Sequence, residues 1–78
     1  MERNEIYAKL NEIFRDVLDN DEIELQDSTT AEDIEEWTSL THIQLIVEIE
    51  KAFGLRFTSE EILEWKNVGE MVDSIIAH

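Results

Sequence analysis

The sequence predicts an all-α fold, a small four-helix bundle with a long loop between helices one and two and a short third helix. Three observations carry this expectation. The chain contains no proline, and Gly54 and Gly69 are its only glycines, so the strongest helix breakers are nearly absent. Apolar residues recur at i, i+3, i+4 and i+7 in separate stretches. A single connection, Asp19 to Thr38, shows no sustained period and exceeds the usual handful of residues.

The first stretch, Ile6, Leu10, Ile13, Phe14 and Val17 with Tyr7 and Leu18 at its edges, defines helix one over roughly residues 4–18. Glu5, Lys9, Glu12, Arg15 and Asp16 occupy its other face, so this helix needs a core on one side only. In the connection that follows, Ile23, Leu25, Ile34 and Trp37 are the candidate anchors. Its segment "DNDEIELQDSTT" fails as a calcium loop, because Glu24 replaces the glycine at the sixth position and Thr30 the glutamate at the twelfth. Thr29 and Glu32 have the spacing of a capping box for a short turn through Ile34.

Helix two lies in "EEWTSLTHIQLIVEIEKAFG", where the apolar residues fall on two sides. At about 100° per residue from Leu40, the residues Leu45, Ile46, Ile49, Ala52 and Phe53 form a sector opposite Leu40, which is the expected core face. Leu40, Ile43 and Val47 form a second, narrower stripe, flanked by Glu50 on one side and by Gln44, Glu48 and Lys51 on the other. A fold of four short elements has little means of covering both faces, so the narrow stripe is expected to be a docking surface. Ser39, just before Leu40, is placed to be the N-cap. A helix N-terminus is also a favourable seat for a phosphate.

Thr58 or Ser59 caps a short helix three through Leu63, with Glu60 and Glu61 in its first turn and Ile62 and Trp65 turned inward. Asn67 caps helix four, in which Val68, Met71, Val72, Ile75 and Ile76 make one core stripe.

With 78 residues the chain is expected to form one domain, 1–78. The 20 acidic against 6 basic residues give a formal charge of −14, which argues against nucleic acid and favours protein partners with basic patches. No apolar run approaches the roughly 18–20 residues of a membrane span, and there is neither a signal-like start nor a cysteine, so a cytoplasmic monomer is expected. Nothing points to catalysis. His42 and His78 are the only histidines, and the helical count puts His42 on the core side as a packing or first-turn residue. Without cysteine or acid–histidine spacing, no metal site is expected.

The run "STTAEDIEEWTSLTHIQLIVEIEKAFGLRF" resembles the central part of the acyl carrier protein, or phosphopantetheine-attachment, family. The family's Asp-Ser-Leu is matched by Thr38, Ser39 and Leu40, its Phe-Gly by Phe53 and Gly54, its acidic third helix by "TSEEILEW" and its last helix by "NVGEMVDSIIAH". The resemblance implies that Ser39 receives 4′-phosphopantetheine from coenzyme A by the action of a phosphopantetheinyl transferase, which is why Ser39 needs no base of its own. It further implies an acyl or aminoacyl thioester on the arm, presented to loading and transfer enzymes. Leu40, Ile43, Val47, Glu48 and Glu50 then correspond to the partner-recognition helix. The core face of helix two would line the space in which some members shelter the acyl chain.

Two departures stand out. Thr38 replaces the usual aspartate, and Thr41, Gln44 and Lys51 stand where typical fatty-acid carriers have acids. The run W-x-S-L-T-H-I, Trp37 to Ile43, is instead similar to stand-alone carriers of specialised pathways, such as polyketide, nonribosomal peptide or polysaccharide-modifying acyl or aminoacyl transfer, with fatty-acid synthesis the other expectation. The competing expectation is a small acidic helical interaction module, carrier-like but unmodified, that docks through helix two.

Overall fold

The computed structural model describes residues 2–78. Four helices, α1 (Arg3–Val17), α2 (Ser39–Phe53), α3 (Ser59–Glu64) and α4 (Val68–Ala77), follow in that order, with a 3₁₀ turn at Ala31–Asp33 inside the long α1–α2 loop. The all-α class, the long loop and the short third helix are as the sequence predicts.

The core forms where three amphipathic stripes meet. Ile6, Leu10, Phe14 and Leu18 come from α1 and its cap, Leu45 and Ile49 from α2, and Val68, Met71, Val72 and Ile75 from α4. Two anchors of the long loop, Ile23 and Leu25, join them, while Ile34 and Trp37 pack against the outside of the cluster. α3 contributes no fully buried residue. Its flanks hold it instead: Phe57 and Trp65 meet edge to face at 4.7 Å, and the Trp65 indole N–H donates to Ser74 Oγ at 2.7 Å.

Side chains and helix ends order the long loop, whose own carbonyls would otherwise lack partners. Asn11 Oδ1 accepts from Leu25 N–H at 2.7 Å, and Arg15 Nε donates to the Ile23 carbonyl at 2.7 Å. The first N–H groups of α4, which no helical bond can satisfy, donate to the loop: Val68 to the Thr29 carbonyl at 2.9 Å and Gly69 to the Asp27 carbonyl at 3.0 Å. A Cβ on Gly69 would lie 3.0 Å from that carbonyl oxygen, tight enough that the loop would have to give by a few tenths of an ångström, so the close approach favours glycine. Arg3 donates to Asp27 and Asp73, each at 2.8 Å, and Tyr7 OH donates to Asp27, joining the start of α1 to the loop and to α4.

Helix ends follow local chemistry. α1 stops where Asp19 turns left-handed, at φ 52°, and Asn20 N–H returns to the Arg15 carbonyl. α2 ends at Gly54, φ 64°, with Leu55 N–H on the Glu50 carbonyl. Thr58 and Asn67 cap α3 and α4, accepting from Glu61 N–H and Glu70 N–H.

Four expectations need correction. Thr38, not Ser39, is the N-cap of α2, because Thr38 Oγ1 accepts from Thr41 N–H while Thr41 Oγ1 accepts from Thr38 N–H at 2.7 Å; Ser39 is the first helical residue. The capping pair in the loop is Thr30 with Asp33, one residue beyond Thr29 and Glu32; Thr29 Oγ1 is taken by Gln26 N–H. Ala52 is exposed, since its methyl stops at the floor of a shallow groove beside Lys9, Glu12, Ile13 and Asp16 of α1. Ile76 is 52% exposed, because Ile75 takes the inward direction in the last turn of α4 and its neighbour points about 100° away.

Candidate functional site

The tip of α2 presents Ser39 to solvent. Thr38 does the capping, so the Ser39 hydroxyl makes no hydrogen bond among the described residues. The N–H groups of Ser39 and Leu40 are also without partners among those residues; Thr38 meets only the later ones, Thr41 N–H through its hydroxyl and His42 N–H through its carbonyl. A free hydroxyl beside two outward N–H groups, at the positive end of a 15-residue helix, fits a phosphodiester on Ser39 Oγ. No charged side chain lies in the first turn of α2.

From that tip the outer stripe runs along α2. Leu40 is 77% exposed, Ile43 64% and Val47 42%, three of the five exposed large apolar side chains among the described residues. Glu48 is exposed beside them. Glu50 is half-buried and its carboxylate accepts from Phe57 N–H at 2.8 Å, so it also pins the α2–α3 connection, a duty the periodicity does not announce. On the opposite side Leu45, Ile46 and Ile49 are buried. The two faces of α2 are thus distinct, as the count from Leu40 predicts.

His42 packs inward from the first turn, as expected. The Trp37 indole N–H donates to its Nδ1 at 3.0 Å and the two rings stack with centroids 6.0 Å apart. An indole nitrogen can only donate, so Nδ1 accepts and the neutral ring carries its proton on Nε2. Burial holds this imidazole below its ordinary value. Trp37 in turn meets Phe14 edge to face at 5.0 Å, which ties the site to the core.

The family model described as "Phosphopantetheine attachment site" matches residues 8–75, which include the whole of α2. The chain belongs to the phosphopantetheine-attachment family. It is 37% identical over 78 residues to an acyl carrier protein of Rubrobacter xylanophilus, covering 100% of this chain and 96% of that one. An acyl carrier protein of Coprothermobacter proteolyticus is 32% identical over 76 residues, or 96% of this chain and 92% of its own. Among solved structures, the solution NMR structure of a holo acyl carrier protein from Geobacter metallireducens superposes with a TM-score of 0.86 at 39% identity, over 91% of this chain and 82% of that one. Family membership makes the chain a carrier rather than an enzyme, and its cofactor a covalently attached 4′-phosphopantetheine. The family's dealings are with enzymes that load and transfer acyl groups.

Proposed function

We propose that this chain acts as one carrier domain, residues 1–78, whose Ser39 bears 4′-phosphopantetheine and whose arm carries an acyl or aminoacyl group as a thioester. The observation that carries the reading is the exposed, unbonded Ser39 hydroxyl at the start of α2, inside the matched region. In the transfer Ser39 Oγ attacks the pyrophosphate phosphorus nearest the pantetheine of coenzyme A. The new bond is Ser39 Oγ–P, the bond broken joins that phosphorus to the adenosine side, and adenosine 3′,5′-bisphosphate leaves. The serine proton passes to a base of the phosphopantetheinyl transferase. The Ser39 and Leu40 N–H groups then face the phosphodiester, and the terminal thiol supplies the thioester chemistry.

Partners dock on Leu40, Ile43 and Val47, with Glu48 and Glu50 giving the acidic flank that a basic enzyme surface meets. Thr41, Gln44 and Lys51 make this flank less acidic than three more carboxylates would. That difference favours enzymes of a specialised pathway over those of fatty-acid synthesis. The carrier works as a cytoplasmic monomer. No helix among the described residues is long and apolar enough to cross a membrane. An unmodified docking module is not favoured, because the matched family is defined by attachment.

Intact mass after incubation with coenzyme A and a broad-specificity transferase tests the reading. The wild type gains one phosphopantetheine and Ser39→Ala gains none. A gain that persists in Ser39→Ala moves the site elsewhere, and a wild type that gains nothing with several transferases restores the docking module.

A further inference from the structure

The outer stripe of α2 runs on beyond Val47 into an open groove of about 590 Å³, walled by Val47, Glu50, Lys51, Gly54, Leu55 and Arg56 where the chain leaves α2 for α3. Val47, Lys51 and Arg56 are exposed, and Glu50 and Leu55 are half-buried. We propose that this groove is the selective end of the docking face, where the enzyme that loads or unloads the carrier seats a carboxylate against Lys51 and Arg56, beside an apolar side chain resting on Val47 and Leu55. The inference rests on the carrier reading and names the partner chemistry that reading leaves open.

Cations are scarce in this chain, 6 against 20 acids. Three of them are engaged within the fold: Arg3 donates to Asp27 and Asp73, Arg15 donates to the Ile23 carbonyl, and the Lys9 ammonium stands over the Phe53 ring at 5.4 Å. Lys66 stands apart, on the connection between α3 and α4. Lys51 and Arg56 border one groove, and neither makes a side-chain hydrogen bond or ion pair among the described residues. The acid in the same wall, Glu50, gives its carboxylate to the Phe57 N–H instead. A locally positive site thus persists on a strongly acidic molecule.

Other duties do not account for the pair. A cation in the last turn of a helix complements the macrodipole, and Lys51 is placed to do so. Arg56 lies past the C-cap Gly54, where that role does not reach. Nor do these cations serve a phosphodiester on Ser39, since Lys51 is twelve residues further on, about 18 Å along the helix at ~1.5 Å per residue.

The order of charge gives the face a direction. The first turn of α2 carries no charge, Glu48 and Glu50 follow, and the two cations close the far end. A complementary enzyme has a cation opposite the acids and a carboxylate at the point farthest from its own active site. An enzyme whose docking patch is basic throughout meets Lys51 and Arg56 with like charge, which slows the encounter and selects against it.

The test takes a malonyltransferase that loads the holo wild type through a docking patch of lysine and arginine, together with that enzyme's variant in which the patch residue farthest from its active site is changed to glutamate. The kcat/KM for transfer from malonyl coenzyme A, followed by intact mass, is compared for the wild-type carrier and the double variant Lys51→Glu, Arg56→Glu. The basic enzyme should load the double variant several-fold faster than the wild type, and the glutamate-bearing enzyme should load it several-fold slower. Both differences should shrink as salt is raised. Rates that do not differ between the two carriers put the cations outside the interface and overturn the inference. Rates that shift in the same direction with both enzymes show an effect on the fold and overturn it too. So does self-association of the wild type in sedimentation velocity that the double variant abolishes, because a second copy then fills the groove. A wild type that takes up no arm overturns the carrier reading instead, and this inference with it.

Discussion

His42 shows how a single side chain acquires a pH-dependent role from its surroundings. Half-burial favours the neutral ring, and Trp37 occupies its Nδ1, so protonation costs both solvation and a hydrogen bond. The folded value lies below the unfolded one of about 6.5, and between the two the unfolded chain binds more protons. This stabilisation is therefore complete above pH ~6.5 and lost as pH falls through the folded value. Compared with His42→Gln, which keeps an acceptor for Trp37 but does not titrate, the wild type should lose thermal midpoint as pH drops below about 6.5. A constant difference between the two proteins across that range would contradict the burial argument. Two carboxylates titrate in a lower window. Tyr7 and Arg3 hold Asp27 down, and the Thr58 N–H and His78 hold Glu61 down, so their contributions persist above pH ~4 and vanish below it. Neither the Trp37–His42 bond nor the Arg3–Asp27–Asp73 cluster is legible in the sequence. Both join residues whose spacing obeys no period, and only the folded loop brings them together.

At the scale of elements, α2 illustrates what patterning reveals and where it stops. Its two faces are readable because each follows the helical period, and the exposure of Leu40, Ile43 and Val47 against the burial of Leu45, Ile46 and Ile49 follows the count. The cap is off by one because Thr38 and Ser39 are adjacent and both suit the position; the backbone chooses Thr38, extended at φ −110°, and pairs it with Thr41. Thr29 and Thr30 pose the same ambiguity in the loop. Ala52 and Ile76 fail for a different reason, since at the edge of a stripe burial depends on a neighbouring element that the stripe does not specify. The capping role explains how the chain tolerates threonine where the family has aspartate. Thr38→Ala should cost about 0.5–2 kcal/mol, read as a lower thermal midpoint. Thr38→Asp should retain stability, and should be modified at Ser39 faster if the transferase reads an acid there. Equal rates for Thr38→Asp and wild type would show the departure to be neutral, and an undiminished midpoint for Thr38→Ala would remove Thr38 as the cap.

For the whole molecule, the formal charge of −14 is the dominant feature. Among the described residues no group of acids or imidazoles is gathered to hold a metal ion, so cations should act by screening the general repulsion. The thermal midpoint should fall at low ionic strength and rise in millimolar magnesium or calcium, the two ions acting alike. A midpoint indifferent to salt would mean the charges are too dispersed to matter, and a strong preference for one ion would reveal a site.

The central claim is that α2 serves the core with one face and the cell's enzymes with the other, and paired substitutions test it most directly. Ile49→Ala removes a side chain with 0% exposure and should cost about 2–5 kcal/mol, a large share of the stability of so small a fold. Val47→Glu, two residues away on the outer stripe, should leave the circular dichroism spectrum unchanged and the stability within about 0.5 kcal/mol of wild type. Its cost should fall on the rate at which a transferase modifies Ser39. If Val47→Glu unfolds the protein as Ile49→Ala does, or modifies at the wild-type rate, the division of labour along α2 is wrong.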